Sequence, residues 1–177
     1  MCYYPAPFAH AKNIFEIDLD FFKKSHIKYL FMDLDNTLDS YLSSEPTQRA
    51  KDFINKLIEN NITPIIISNN KGPRVKKYSN CLGIEFLPNS GKPFSGKIKK
   101  FMKEKGINPI EVMMVGDQLA TDIKAAKGAK IKSILVDKIV EEDQKTTKFN
   151  RFFEKPFRKR LAKKGKFIDW RTIYGEM

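Results

Sequence analysis

Apolar positions along this chain fall into short, nearly unbroken runs separated by stretches of helical spacing. Lys28 to Met32 (KYLFM), Thr63 to Ile67 (TPIII), Glu85 to Leu87, Glu111 to Val115 (EVMMV) and Lys132 to Val136 lack the alternation of a half-solvated strand. They read as parallel strands covered on both faces. Between them, Phe53, Ile54, Leu57 and Ile58 recur at near-helical spacing after Pro46, and Ile98, Phe101 and Met102 do so after Gly96. A shorter helix is predicted from Thr121 to Lys127, ended by Gly128. Strand and helix in alternation predict an α/β domain with a mostly parallel sheet flanked by helices and right-handed crossovers. Ligands of such sheets bind beyond the carboxyl ends of the strands, so chemistry is expected in those loops.

The chain has 177 residues, 41% apolar and 31% charged, with no internal repeat and no Ser/Gly linker. This is the length and composition of one globular domain. Residues 1–140 are expected to form it, with 141–177 a basic, aromatic segment that packs on it or extends it. No apolar run approaches the roughly 20 residues a membrane-spanning helix needs. Met1 to Ala11 carries no early basic cluster and is broken by Pro5 and Pro7, which argues against a secretory signal. Cys2 and Cys81 are the only cysteines and suit a reducing compartment, so a cytoplasmic location is expected.

Charge changes the picture more than composition does. The net charge is +12, and +9 of it lies between Lys145 and Lys166, where ten Lys or Arg meet one acid, Glu154. Such a balance favours polyanions: nucleic acid, an anionic membrane surface or phosphorylated substrates. Phe149, Phe152, Phe153, Phe157 and Leu161 fall near one helical stripe, interleaved with Arg151, Lys155, Arg158, Lys159, Arg160, Lys163 and Lys164. Three readings stay open: an interfacial helix on anionic phospholipid, a Phe stripe packed on the domain beneath solvated charges, or an RNA contact. Pro156 is expected to kink or break this helix. The segment before Ile27, with Phe15, Phe21 and Phe22, either covers the sheet edge or contacts lipid.

Polar residues gather at three predicted strand ends. Asp33-Leu34-Asp35-Asn36-Thr37 follows the first strand, Ser68-Asn69-Asn70 the second, and Gly116-Asp117-Gln118-Leu119-Ala120-Thr121-Asp122 the fourth. Two carboxylates two residues apart on a turn can face one crevice and share a divalent cation, and a hydroxyl with backbone amides can hold phosphate oxygens. Each alone reads as an ordinary polar turn; three in the same place do not. Gly91 to Lys97 (GKPFSGK) matches a nucleotide-binding phosphate loop in spacing, but Ile98 stands where the Mg²⁺-binding hydroxyl belongs, which argues against a triphosphate site.

Together these residues resemble the haloacid dehalogenase (HAD) superfamily of phosphotransferases over about residues 27–136. Its DxDx[TV], Ser/Thr, Lys and GDxxxD-type motifs appear in order, Lys92 of Gly91-Lys92-Pro93 being the matching lysine and Lys97 the runner-up. The resemblance implies a Rossmann-like fold in which Asp33 is the nucleophile and Asp35 the acid/base. It implies Mg²⁺ held by Asp33, the Asp35 backbone and Asp117, with Asp122 a ligand or an orienting acid, and phosphate held by Ser68, Asn69 and Lys92. The intervals after Asp35 and between Ser68 and Lys92 have no room for the cap domains that enclose small substrates in this superfamily. An uncovered site suits a phosphate on something large.

Within the superfamily the chain is similar to the capless (subclass IIIA) YqeG-like family, itself similar to phosphatidylglycerophosphate phosphatases. The resemblance rests on DLDNTL at Asp33 to Leu38, SNN at Ser68, KP at Lys92, GDQLATD at Gly116 and Asn150-Arg151. It implies hydrolysis of phosphatidylglycerophosphate to phosphatidylglycerol at the cytoplasmic membrane face. Asp39 departs from the family, which often has an apolar or small residue there. A phosphatase of RNA or another macromolecule, ribosome-associated for instance, and a non-catalytic basic binding module are the alternatives.

Overall fold

Six strands, all parallel, form one sheet in the computed structural model. The structure describes residues 5–70, 72–139 and 145–177, with side chains given outside 145–151. In chain order the strands are β1 (Ala9–Ala11), β2 (Tyr29–Met32), β3 (Thr63–Ile67), β4 (Glu85–Leu87), β5 (Val112–Gly116) and β6 (Lys132–Val136). The helices are α1 (Leu19–Lys24), α2 (Gln48–Glu59), α3 (Pro73–Leu82), α4 (Gly96–Glu104), α5 (Lys124–Ala129), α6 (Lys145–Lys163) and α7 (Trp170–Gly175). The order across the sheet is β1-β6-β5-β2-β3-β4, so the chain runs outward from β2 to β4 and returns to start again at β5. The crevice between the carboxyl ends of β2 and β5 is the switch point where such sheets bind ligands.

Alternate side chains of the same strands feed two cores, which is why the strand sequences are apolar throughout. Leu30, Met32, Ile66, Met113, Val115 and Val136 pack on Phe21, Phe22, Phe53, Ile54, Leu57, Tyr78 and Trp170. Phe31, Ile65, Ile67, Val112 and Met114 pack on the opposite face with Ile98, Met102, Ala125 and Ala126. Phe21 and Phe22 are fully buried, which decides the reading of the N-terminal segment: it covers the sheet. The Trp170 ring meets Phe21 edge-on at 5.7 Å, so the C-terminal helix closes on the same core.

Several expectations are corrected. β1 has the sequence AHA, without an apolar run to mark it, yet it pairs with β6 as the edge strand. The helix expected over Thr121 to Lys127 is a π-helical turn over Leu119–Ile123 followed by α5, and it runs through Gly128 to Ala129, capped by Lys130, whose φ is 61°. Gly128 is small for another reason: a Cβ there would lie 2.8 Å from Ser95 Oγ. α6 continues through Pro156 instead of breaking; the proline merely leaves the carbonyl one turn earlier without its donor, on an exposed face.

The aromatic stripe of α6 also divides. Phe152 and Phe153 are exposed (74% and 49%), whereas Glu154 and Leu161 are buried and Phe157 and Arg158 are partly so. Residues 154, 157, 158 and 161 are the helix-spaced face that packs, with Leu161 lying on Leu119, Ile123 and Leu135. Residues 140–144, the side chains of Phe149, Asn150 and Arg151, and Cys2 lie outside the described residues, as does the expected boundary at 140. Cys81 is an exposed free thiol. Among the described residues no helix is long and apolar enough to cross a membrane.

Candidate active site

Asp33 leaves the end of β2, its backbone N–H donating to the Val115 carbonyl of β5, which pins the first acidic turn against the second. One carboxylate oxygen from each of Asp33, Asp117 and Asp122 lies within 4.8 Å of the others, and all three residues are buried. Gly116 permits this: a Cβ at that position would sit 2.3 Å from Asp122 Cγ. Asp122 Oδ2 accepts from the Gln118 N–H at 3.1 Å. The Asp35 carboxylate is not a member of this group; it turns to Arg74.

Lys92 enters from the loop before α4. Its Nζ donates to Asp33 Oδ1 at 2.6 Å, Asp122 Oδ1 at 2.7 Å and the Ile67 carbonyl at 2.8 Å. Burial works against the ammonium, but Asp122 and Asp33 outweigh it and raise its pKa above the ordinary lysine value. Burial pushes the Asp33 carboxyl well above the usual aspartate range; Lys92 opposes that shift, while Asp122, Asp117 and Asp35 add to it. Lys97, the runner-up, donates to the Asn89 carbonyl at an exposed position.

The SNN turn is spent largely on holding Lys92. Asn69 Oδ1 accepts from the Lys92 N–H at 2.8 Å and the Ser90 hydroxyl at 2.9 Å, and its Nδ2 donates to the Lys92 carbonyl at 2.7 Å. The Ser68 hydroxyl oxygen accepts from the Asn70 N–H at 3.1 Å at the end of β3. Ser68 thus caps the turn at the end of β3, while the Asn69 side chain serves the lysine's backbone.

Residues to which the sequence assigned no place in the site complete the surroundings. Arg74, in the first turn of α3, donates to Asp35 Oδ1 at 2.6 Å, the Ser43 carbonyl at 2.9 Å and the Ser40 carbonyl at 3.3 Å. It ties Asp35 to the loop joining β2 to α2. Asp39, the departure from the family pattern, is the other tie: its carboxylate accepts from the Thr47 N–H, the Thr47 hydroxyl and the Tyr78 hydroxyl at 2.9, 2.8 and 2.6 Å. An apolar residue could not bind those three donors. On the far side, Arg158 Nη2 of α6 donates to the Asp117 carbonyl at 2.6 Å, and Glu154 accepts from the Ala120 N–H. Glu154 carried one signal in the sequence: the lone acid in a basic run, four residues before an arginine.

The donor set suits a hard divalent cation. Three clustered carboxylates with one lysine leave surplus negative charge, oxygen is the only donor type, and Mg²⁺ is bound by carboxylates in such sites. The interval after the first motif holds only the β2–α2 loop, and that after the second holds α3 with β4.

Comparison with known proteins finds relatives of the whole chain. Residues 89–155 match the Hydrolase_like model of HAD-hydrolase-like proteins. The protein named Probable phosphatase YqeG, from Bacillus subtilis (strain 168), is 32% identical over 164 residues, 93% of this chain and 95% of its own. Among solved structures, an uncharacterized protein from Listeria monocytogenes serotype 4b aligns over 67% of this chain and 85% of its own, with TM-score 0.54 and 18% identity. A 3-deoxy-D-manno-octulosonate 8-phosphate phosphatase from Moraxella catarrhalis aligns over 57% and 64%, with TM-score 0.47 and 21% identity.

Proposed function

This chain belongs to the HAD-like family that includes YqeG, and from that premise we propose that it is a Mg²⁺-dependent phosphomonoesterase that hydrolyses phosphatidylglycerophosphate to phosphatidylglycerol. The observation that carries the chemistry is the buried Lys92 joined to Asp33 and Asp122 at the ends of adjacent strands. Asp33 attacks phosphorus, forming an aspartyl-phosphate as the alcohol leaves. Asp35, oriented by Arg74, protonates the leaving oxygen and then takes the proton of the attacking water. Lys92 and the Ser68 hydroxyl offset charge on the phosphoryl oxygens, with the Asn69 side chain fixing the Lys92 backbone. Asp33, the Asp35 backbone, Asp117 and Asp122 would hold the cation, which when bound adds positive charge against the phosphoryl group.

The lipid substrate is supported by the short intervals after the first two motifs, which hold only the β2–α2 loop and α3 with β4, and by α6. Phe152 and Phe153 are exposed on a helix whose Lys155, Lys159, Arg160 and Lys163 are also exposed, the composition of an interfacial helix on anionic lipid. α6 follows β6, whose carboxyl end is the crevice end of the sheet. We read residues 141–177 as part of the same domain, supported by the buried Leu161 and Trp170, and place the protein at the inner face of the membrane.

The test is phosphate release from phosphatidylglycerophosphate in detergent micelles, with Mg²⁺ or EDTA, for wild type and Asp33→Asn. Release that needs Mg²⁺ and is lost in the variant is expected. Cleavage of an aryl phosphate but not of the lipid would overturn the lipid assignment and direct attention to RNA-borne phosphates. Activity of Asp33→Asn equal to wild type would overturn the mechanism.

A further inference from the structure

The loop that carries Asp117 and Asp122 is held partly by its own hydrogen bonds, with Asp122 and Ile123 N–H donating to the Gln118 carbonyl, and partly from outside. Over Leu119–Ile123 it forms a π-helical turn, a rare conformation that leaves neighbouring backbone groups outside the regular helical ladder and in need of other partners. Two of those groups, the Asp117 carbonyl and the Ala120 N–H, find them on α6: Arg158 Nη2 donates to the first at 2.6 Å and Glu154 accepts from the second. Arg158 and Glu154 are one helical turn apart, and Arg158 Nε lies 3.5 Å from Glu154 Oε2. Leu161, a turn further on, packs on Leu119 and Ile123 of the same loop.

Glu154 makes the arrangement hard to read as ordinary helix packing. It is the single acid in the basic segment, and it is fully buried. Burying a carboxylate is costly unless it is paired and hydrogen-bonded; an apolar residue would pack there at less cost. What the carboxylate provides is an acceptor for one loop group and an ion-pair partner that aims the guanidinium at another.

We propose that Glu154 and Arg158 are positioning residues that clamp the 116–123 loop from outside and so set the spacing of Asp117 and Asp122 for a divalent cation. This rests on the reading of the acidic trio as a cation site. Partners of this kind, which hold metal ligands without touching the metal, typically change affinity 10- to 100-fold when removed.

The test measures Mn²⁺ binding to the full chain without substrate, by the electron paramagnetic resonance of free Mn²⁺, alongside far-UV circular dichroism and thermal melting. Arg158→Met and Glu154→Leu are expected to weaken Mn²⁺ binding by about 10-fold or more while the chain stays folded. Glu154→Gln, which keeps an acceptor for the Ala120 N–H, recovers most of the loss, and Lys159→Ser, an exposed change on the same helix, causes none. With an aryl phosphate, the Mg²⁺ concentration for half-maximal rate rises in step, while KM at saturating Mg²⁺ moves by less than about 3-fold, as a change confined to the metal ligands implies. If Glu154→Leu does not fold, Arg158→Met and Glu154→Gln decide. Wild-type Mn²⁺ affinity in folded Arg158→Met, or equal losses in Arg158→Met and Lys159→Ser, would overturn the clamp alone. Absence of Mn²⁺ binding by the wild-type protein would overturn the cation site and the clamp together.

Discussion

Replacing Lys92 with Met keeps much of the side chain's apolar length and removes the cation that Asp33 and Asp122 share. Lys92 and Asp122 are almost wholly buried as side chains and Asp33 is 10% exposed, so water cannot take over. Removing one partner of a buried ion pair costs about 3–5 kcal/mol. The structure limits that loss in one direction: Asp33 can take a proton. Its pKa is already raised in the folded protein by burial and acidic neighbours, so between the ordinary aspartate value and the raised one the native state binds more protons than the unfolded chain. Stability therefore falls as pH rises through that window, by up to about 1.4 kcal/mol per pH unit for one proton. With a urea m-value of about 2 kcal/mol/M for a chain of this size, Lys92→Met should lower the urea midpoint in EDTA by about 1.5–2.5 M at pH 8. Near pH 5 the drop should be clearly smaller, and added Mg²⁺ should restore part of the pH 8 loss. Lys97→Met, at the exposed Asn89 contact, should stay within about 0.3 M of wild type. Equal shifts in the two variants, or a Lys92→Met loss unchanged between pH 5 and pH 8, would refute the reasoning.

Other consequences can be measured separately. Burial and the hydrogen bond to Asp39 hold the Tyr78 phenol neutral well above its ordinary value of 10.0. The stability this contributes is whole below pH 10 and lost as pH rises above it, so Tyr78→Phe should flatten the fall in urea midpoint between pH 10 and 11; an unchanged slope would exclude Tyr78 as its source. Gly116→Ala places a Cβ 2.3 Å from Asp122 Cγ and should cut Mn²⁺ affinity at least about 10-fold, read by calorimetry, with unaltered affinity counting against the close approach. Phe152→Ser with Phe153→Ser removes the exposed aromatic pair and should reduce sedimentation with anionic vesicles by about 10-fold or more; wild-type sedimentation would remove lipid from the reading of that face.

What the sequence discloses depends on whether the signal is local. β2, β3, β5 and β6 announce themselves because strands buried on both faces must be apolar throughout, and the acidic turns follow because they sit directly at those strand ends. β1 has only Ala9, His10 and Ala11, and it exists because β6 offers it an unpaired edge, which no window of nine residues can reveal. α6 shows the same limit in its faces. Phe and Leu suggested one stripe, but the buried face includes a glutamate and an arginine, chosen by the backbone groups of a loop more than thirty residues earlier. Arg74 and Asp39 were invisible as site residues for that reason: their partners are brought together only by the fold. Asn69 was legible as part of the motif, but the engagement of its side chain with the Lys92 backbone across 23 residues was not.

One arrangement recurs around the crevice and bears on how an uncovered site keeps its geometry. Lys92 binds the Ile67 carbonyl and the carboxylates of Asp33 and Asp122; Arg74 binds the Ser40 and Ser43 carbonyls and Asp35; Arg158 binds the Asp117 carbonyl and pairs with Glu154. Each cation comes from a different segment, and each joins a main-chain carbonyl at a strand end or in a loop to an acid. A cation so placed fixes the loop backbone and the acid at once, and charge-assisted bonds of this kind are about twice as strong as neutral ones. Enzymes with lids assemble their sites by closing on the substrate, and binding energy from the substrate drives that step. Here the backbone around the acids is tied by the protein's own side chains. Order in the site then costs the substrate little, and a phosphate presented by a surface too large to be enclosed can meet groups already held in place.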